Sequence, residues 1–387
     1  MTFSRIVFPA LPALTMGSSD GQDILRYRFQ LYDEADGRID VESHYLDYKH
    51  SWGGTSANLR LAIDSLSGET PIGIHARGDD GDWLFQEIAD ERRVAVATIE
   101  HEVDDYTLTF EYAHSKEDDY RSNAVTAKVS REFNQKNTTV TGGVSFAFDE
   151  VLATDFTNNF ENRDKDTLDV SVGVSQIVTR NTLVDFNLGY GRSTGYLSDP
   201  YRRISQDRTV VIDGPFGPIP VTDTFDYSEN RPSEQHRFVA KASVRQYFEE
   251  VDGALKLSYR FFTNSDSVRG HTFELKWIQQ VNEQLSVTPY VRYYQQSEAD
   301  YYYSSLTDTG VDGTDLIDGS GANYSSDYRL SKMEALTYGV RMAWEVRSDL
   351  TLDLQLERYE MNGLDSQTPA SFFPTANVVS VGAQWRF

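Results

Sequence analysis

Apolar and polar side chains alternate one for one in short runs from about residue 24 to the end of the chain. No apolar run approaches the roughly 20 residues that a membrane-spanning helix needs. Successive side chains on a strand point to opposite faces, so each run is a strand with one greasy and one wet side. Leu25, Tyr27, Phe29 and Leu31 open the series. The pattern is cleanest in Leu168, Val170, Val172 and Val174, and again in Val184, Phe186, Leu188 and Tyr190. In the last run Val379, Val381, Ala383, Trp385 and Phe387 share one face, and Ser380, Gly382, Gln384 and Arg386 the other. A terminal aromatic on such a strand is the usual ending of a bacterial outer-membrane β-barrel, where it serves as the signal read by the barrel assembly machinery.

The links between runs fall into two sets. Short ones lie around 52–54, 104–105, 134–137, 180–181, 251–253, 282–284 and 347–349; longer ones span 68–93, 149–166, 197–234, 298–330 and 362–376. Regular alternation of short and long links is the outer-membrane pattern of tight periplasmic turns and longer extracellular loops. The expected fold is all-β: a single transmembrane antiparallel barrel of about sixteen strands over 23–387, both termini periplasmic. A soluble β-sandwich array is the competing architecture, and it gives no reason for so regular an alternation. Tyr293, Tyr294, Tyr301, Tyr302 and Tyr303 sit where strands meet long links, and Trp52, Tyr106, Phe133, Trp344 and Phe387 near short ones. Two aromatic belts facing the lipid head groups are expected from that placement.

Residues 1–22 read as a leader or an N-terminal periplasmic extension. Arg5 precedes an apolar stretch, as in a secretory signal, but Pro9 and Pro12 interrupt it and no clean cleavage site follows. The chain has no cysteine, which suits an oxidising compartment. A net charge of −24 argues against a nucleic-acid partner, which wants a basic face.

Several segments in consistent order resemble the bacterial family DUF3570, a group of outer-membrane barrels. They are Leu31-Tyr32-Asp33-Glu34-Ala35-Asp36-Gly37-Arg38, Asp64-Ser65-Leu66-Ser67-Gly68, Arg131-Glu132-Phe133-Asn134-Gln135-Lys136-Asn137-Thr138-Thr139, Ser193-Thr194-Gly195-Tyr196-Leu197-Ser198-Asp199-Pro200-Tyr201 and Tyr290-Val291-Arg292-Tyr293-Tyr294. The resemblance implies an outer-membrane location and no established activity.

If the apolar positions face lipid, their neighbours line the lumen. Basic residues then gather on one contiguous wall: Lys241, Arg245, Lys256, Arg260, Lys276, Arg292 and Arg341. Acidic ones lie elsewhere: Asp40, Glu42, Asp64, Glu111, Asp169, Asp185, Asp353 and Glu357. A lumen polarised in this way orients solutes and chooses ion sign; the bland alternative is a set of salt bridges that stiffens the wall. The function expected is a channel or transport component for a small hydrophilic solute. The alternative is a non-conducting scaffold that docks a periplasmic or surface protein through its long loops.

Three smaller features complete the reading. Residues 208–224 read as a Gly/Pro-turned hairpin, either a lid or docking arm or a continuation of the flanking barrel strands. Asp308, Asp312, Asp315 and Asp318 scatter carboxylates among glycines; this is a weak calcium candidate that fails the EF-hand pattern, so no metal or cofactor is expected. Of the seven histidines, His44 is expected to point inward beside Glu42 and Asp40, but no serine is marked as a nucleophile. A rim or lumenal hydrolase is therefore not the expectation.

Overall fold

The computed structural model describes residues 21, 23–75, 82–154, 160–314 and 319–387. The leader expected over 1–22 lies almost wholly outside the described residues. Sixteen strands close into one antiparallel barrel, in which every strand pairs with its neighbours in sequence and the first with the last. β1 (Ile24–Glu34), β2 (Asp40–Trp52), β3 (Thr55–His75) and β4 (Trp83–Val103) begin the circuit. β5 (Tyr106–Lys116), β6 (Tyr120–Phe133), β7 (Thr138–Thr154), β8 (Phe160–Thr179) and β9 (Thr182–Gly195) continue it. After a hairpin of β10 (Arg203–Gly214) and β11 (Gly217–Ser228), it resumes with β12 (Glu234–Phe248), β13 (Gly253–Asn264), β14 (Arg269–Gln280) and β15 (Leu285–Gln296). β16 (Met333–Arg347), β17 (Leu350–Gly363) and β18 (Thr375–Arg386) complete the wall.

Closure is made by β1 against β18, from Ile24 opposite Arg386 to Glu34 opposite Ala376. Beyond the last pair, Phe387 and Asp23 exchange backbone hydrogen bonds of 2.9 and 2.8 Å, and the Phe387 ring packs on Trp385 at 4.6 Å. Register then fixes every face. Arg26 opposes both Asp47 and Gln384, and all three point inward, while Tyr27, Leu31, Leu46, Val379 and Val381 are exposed on the outer surface. A band of the outer face stays apolar around the circuit, including Phe110, Val172, Phe186, Leu257, Phe273 and Leu356. Only lipid makes such a surface stable, because a soluble barrel exposing it would associate through it.

At the end that carries the chain termini, the turns are tight. Gly53 and Gly54 join β2 to β3 with φ of 50° and 75°, left-handed values that glycine adopts without a Cβ clash. Trp52, Tyr106, Phe133, Trp344 and Phe387 are all exposed there, giving one aromatic belt. The belt expected at the other end is thinner than the sequence suggests. Of its five tyrosines, Tyr301 and Tyr302 are buried, and Tyr294 shares the inward parity of Arg292 on β15.

The opposite end is less regular than a rule of long links implies. Much of 68–93 and 149–166 is strand: β3 and β4 run 21 residues each, and β7 and β8 run 17 and 20. Between β5 and β6 only 117–119 intervene, and between β13 and β14 only 265–268. The hairpin expected at 208–224 is present and pairs from Arg203–Ser228 to Gly214–Gly217. It forms a separate two-stranded sheet, not a continuation of β9 and β12. Its base is buried at Ile204, whereas Phe216 at the tip is fully exposed.

The lipid-facing assignment has a direct test. Phe110 lies mid-strand and is 61% exposed on the outer face. Phe110→Arg should destabilise the barrel in lipid vesicles by about 2–4 kcal/mol, as for an arginine near the bilayer midplane. Urea titrations against wild type measure it, and an unchanged midpoint would place this face out of lipid.

Candidate functional site: a one-sided lumen under a buried ion cluster

Strand parity places the predicted basic residues on the lumenal face. Lys241 faces Arg260 across β12 and β13, Arg245 faces Lys256, and Lys256 faces Lys276 on β14. Arg292 on β15 lies opposite Glu274. Arg341 also points inward but differs from the rest, because its Nε donates to Asp353 at 3.1 Å. Asp353 accepts from Arg28 as well, at 2.8 Å, so Arg341 belongs to an ion-paired region and not to an uncompensated wall.

The predicted acidic side divides in two. Asp64 pairs with Arg92, Glu111 with Arg60, and Asp169 with Arg237. Asp185 accepts hydrogen bonds from the hydroxyls of Ser175 and Ser243, and Glu357 accepts one from Gln355. Asp40 and Glu42, by contrast, are on the outer face, and His44 with them. They share the parity of the exposed Leu46 and Tyr48, while Ser43, Tyr45 and Asp47 face inward. His44 therefore donates from Nε2 to the Glu42 carboxylate (3.1 Å) and shares a hydrogen bond between Nδ1 and the Tyr27 hydroxyl (2.8 Å) on the outside of the barrel.

The lumenal arginines of the early strands were not singled out in the sequence. Arg26 pairs with Asp47 at 2.9 Å, and Arg60 with Glu111 at 2.6 Å. They share strand parity with the other polar positions, so alternation alone marks them as lumenal. The result is a lumen with one nearly neutral side, where each acid has a cation or hydroxyl, and one strongly positive side.

A second constellation lies above the lumen. The connection from β9 to β12 and the connection from β15 to β16 fold inward and interlock. Asn230 and Tyr324 exchange backbone hydrogen bonds of 2.9 Å, and Leu306 N–H donates to Ser205 C=O at 2.9 Å. Arg202 donates to the Pro71 carbonyl and to Thr70 on β3. That reach runs six steps along the barrel order β9-β8-β7-β6-β5-β4-β3, so this cap crosses the mouth. Gly73 allows the approach: it has φ of 97°, and a Cβ there would strike the Arg203 carbonyl and Ser326.

The cap holds a buried ion cluster. Asp327 pairs with Arg329 (2.6 Å) and Arg231 (2.8 Å), Arg329 also with Asp199 (2.8 Å), and Arg231 with Glu229 (2.6 Å). Burial pushes the Asp327 carboxyl up, but Arg329, Arg202 and Arg231 outweigh it and hold it well below the usual carboxylate range. Glu229 differs: burial raises it despite Arg231, and the neighbouring Asp199 and Asp327 add to the rise. A loop read only as long and polar gives no warning of such a cluster, since the Arg231–Asp327 and Arg329–Asp199 pairs join segments about a hundred residues or more apart.

At the rim, the carboxylates of Asp90, Glu117 and Asp119 come within 4.8 Å of one another. Burial, then Asp90, push Glu117 up to about 7, with Arg92 opposing. Of the calcium candidates, Asp315 and Asp318 lie outside the described residues, and Asp312 pairs with Arg208 at 3.2 Å.

A family model for a protein of unknown function, DUF3570, matches residues 84–372. The chain belongs to the DUF3570 family. No curated protein matches the sequence. Among solved structures, CdiB from Acinetobacter baumannii aligns at TM-score 0.50 and 12% identity over 94% of this chain. This chain spans 60% of CdiB's length. A bacterial polysaccharide outer membrane secretin aligns at 0.49 and 10% identity, covering 96% of this chain and all of that one. OpdK of Pseudomonas aeruginosa, solved with vanillate, aligns at 0.43 and 10% identity, covering 95% and 99%. The likeness to CdiB is one of fold, that of an outer-membrane β-barrel. It comes to this DUF3570 chain without an activity.

One outcome follows from the cap and one from the rim. Arg231→Met leaves Asp327 and Glu229 buried with fewer partners, at a cost of about 3–5 kcal/mol. Limited proteolysis should then nick 305–314 well before the barrel unfolds; an unchanged cleavage rate would remove the cluster as the cap's support. Glu117 has a folded value above that of an unfolded glutamate, near 4.5. Stability should therefore fall as pH rises from about 4.5 to about 7 and stay lower above it. Glu117→Gln should stabilise by about 1–3 kcal/mol at pH 8 and by little at pH 4, read by thermal melts in micelles. An equal effect at both pH values would refute the burial argument.

Proposed function

We propose that this barrel spans the bacterial outer membrane and acts as a channel or transport component for a small hydrophilic solute, sorted by charge. The observation that carries the reading is the uncompensated wall. Lys241, Arg245 and Lys256 form no ion pair among the described residues, whereas Arg26, Arg28, Arg60 and Arg92 across the lumen are all paired. A wall meant only to be stiff would place acids beside these lysines. Unpaired cations lining an aqueous path attract anions and repel cations.

In this reading the short turns and both termini face the periplasm, as is usual for such barrels. The cap then faces outward and controls entry. Phe387 is the segment the assembly machinery would engage, lipid is the solvent of the outer face, and no enzymatic step is needed. The fully exposed Phe216 at the tip of the β10–β11 hairpin favours the second reading, a scaffold that docks a surface or periplasmic protein. The two readings separate on whether ions cross.

Reversal potentials in planar bilayers test the channel. Anion preference is expected, and it should strengthen with salt as the acidic outer loops are screened, the screening length being about 10 Å at 0.1 M. Arg260→Glu with Arg292→Glu should shift the preference towards cations. Absence of conductance at every salt concentration would overturn the channel and leave the scaffold.

A further inference from the structure

The basic wall is more specific than a diffuse positive field. Along the inward positions of β12, β13 and β14 stand Lys241, Arg245, Lys256, Arg260 and Lys276, with Glu274 the one carboxylate among them. Glu274 is already engaged by Lys276 at 3.4 Å and lies opposite Arg292. Asp185, the nearest acid on β9, has its oxygens taken by Ser175 and Ser243. Lys241, Arg245 and Lys256 have neither an ion-pair partner nor a side-chain hydrogen bond among the described residues.

The register sets these charges against each other. Lys241 lies directly opposite Arg260, and the row Arg245–Lys256–Lys276 crosses three adjacent strands with cation facing cation twice. Directly opposed residues hold their Cβ atoms about 5 Å apart, and like charges there destabilise a sheet. Ser243 and Ser258 oppose each other midway between the two rows. The arrangement is thus a pair of hydroxyls with a cation pair on either side, two residues away along each strand. On the side formed by β1 to β4, by contrast, Arg26, Arg28, Arg60 and Arg92 all have ion-pair partners.

We propose that this patch is a binding site for a small multivalent oxyanion, bearing phosphate groups or two or more carboxylates. Its separated charges would meet the Lys241–Arg260 pair at one end and the Arg245–Lys256–Lys276 row at the other. The Ser258 hydroxyl would donate to an oxygen between them, while Ser243 keeps its hydrogen bond to Asp185. Two cation groups separated along the strand suit an anion with charge at both ends, and a monovalent ion leaves one group unanswered. The proposal rests on the reading that solutes enter the lumen, and it adds a discrete site to that reading.

Calorimetry on the purified full-length barrel in micelles, with inorganic pyrophosphate and citrate as probes and acetate as the monovalent control, tests it without requiring conduction. One saturable binding event is expected for pyrophosphate or citrate and none for acetate. Arg245→Gln and Lys256→Gln should each weaken it by about tenfold or more, the scale of a lost charge-assisted hydrogen bond. Arg180→Gln, at an exposed turn, should leave it unchanged. A second readout separates binding from folding: with no anion present, Lys256→Gln should melt higher than wild type, because it removes like-charge repulsion. The wild type should overtake it when pyrophosphate is added. Conductance without saturable binding would overturn the site and leave the channel. Binding undiminished by Arg245→Gln and Lys256→Gln would place the anion elsewhere and overturn the site as well. Binding in a barrel that passes no current would keep the site and defeat the channel alone.

Discussion

A backbone in lipid has no water to bond, so each N–H and C=O must find a partner within the protein. Every strand edge of the barrel wall is therefore spoken for, and the seam between β1 and β18 is the condition on which the rest depends. It fixes the parity of both terminal strands, and each later pairing passes that parity on around the circuit. Once parity is set, the choice between lipid and lumen is made for every residue of the wall. The chain's polar content then has only two places to go: into the lumen, or beyond the strand ends.

Those two places are used differently. In the lumen, ion pairs line the side formed by β1 to β5 with β17, while among the described residues Lys241, Arg245 and Lys256 on β12 and β13 stand without them. In the cap, charges are buried far more deeply. Asp199, Glu229 and Asp327 are almost without solvent contact, and they are tolerated because arginines surround them. Burying such pairs seldom adds net stability, but removing one partner is costly. The cluster works as a geometric lock more than as a source of stability.

Much of this was legible in the sequence, because a barrel writes itself in a period of two. The strand set, the last strand with its terminal aromatic Phe387 and the positions of the tight turns follow from alternation and turn chemistry. The failures are of two kinds. Charge alone suggests a lumenal place for Asp40, Glu42 and His44, but Leu46 and Tyr48, on the same strand, carry the parity that puts them outside. Register, not charge, decides the face. The cap was a different matter: Asp199 meets Arg329, and Arg202 meets Pro71, through contacts between segments with no common period. Nor does alternation reveal that Arg341 is neutralised, since its partner Asp353 is fixed only by the pairing of β16 with β17.

The sequence distances within the cap have a kinetic consequence. Arg202 and the Pro71 carbonyl are 131 residues apart, and Arg329 and Asp199 are 130. Loops of that span close only after the intervening strands have taken their places, because the entropy of closure must be met before such contacts return anything. The wall can zip hairpin by hairpin, each step local. The cap has no local step: it waits for β3, β9, β12, β15 and β16 to stand in position. A barrel interrupted late in folding would therefore have a complete lower wall and an unroofed mouth, with its least local contacts the last to form.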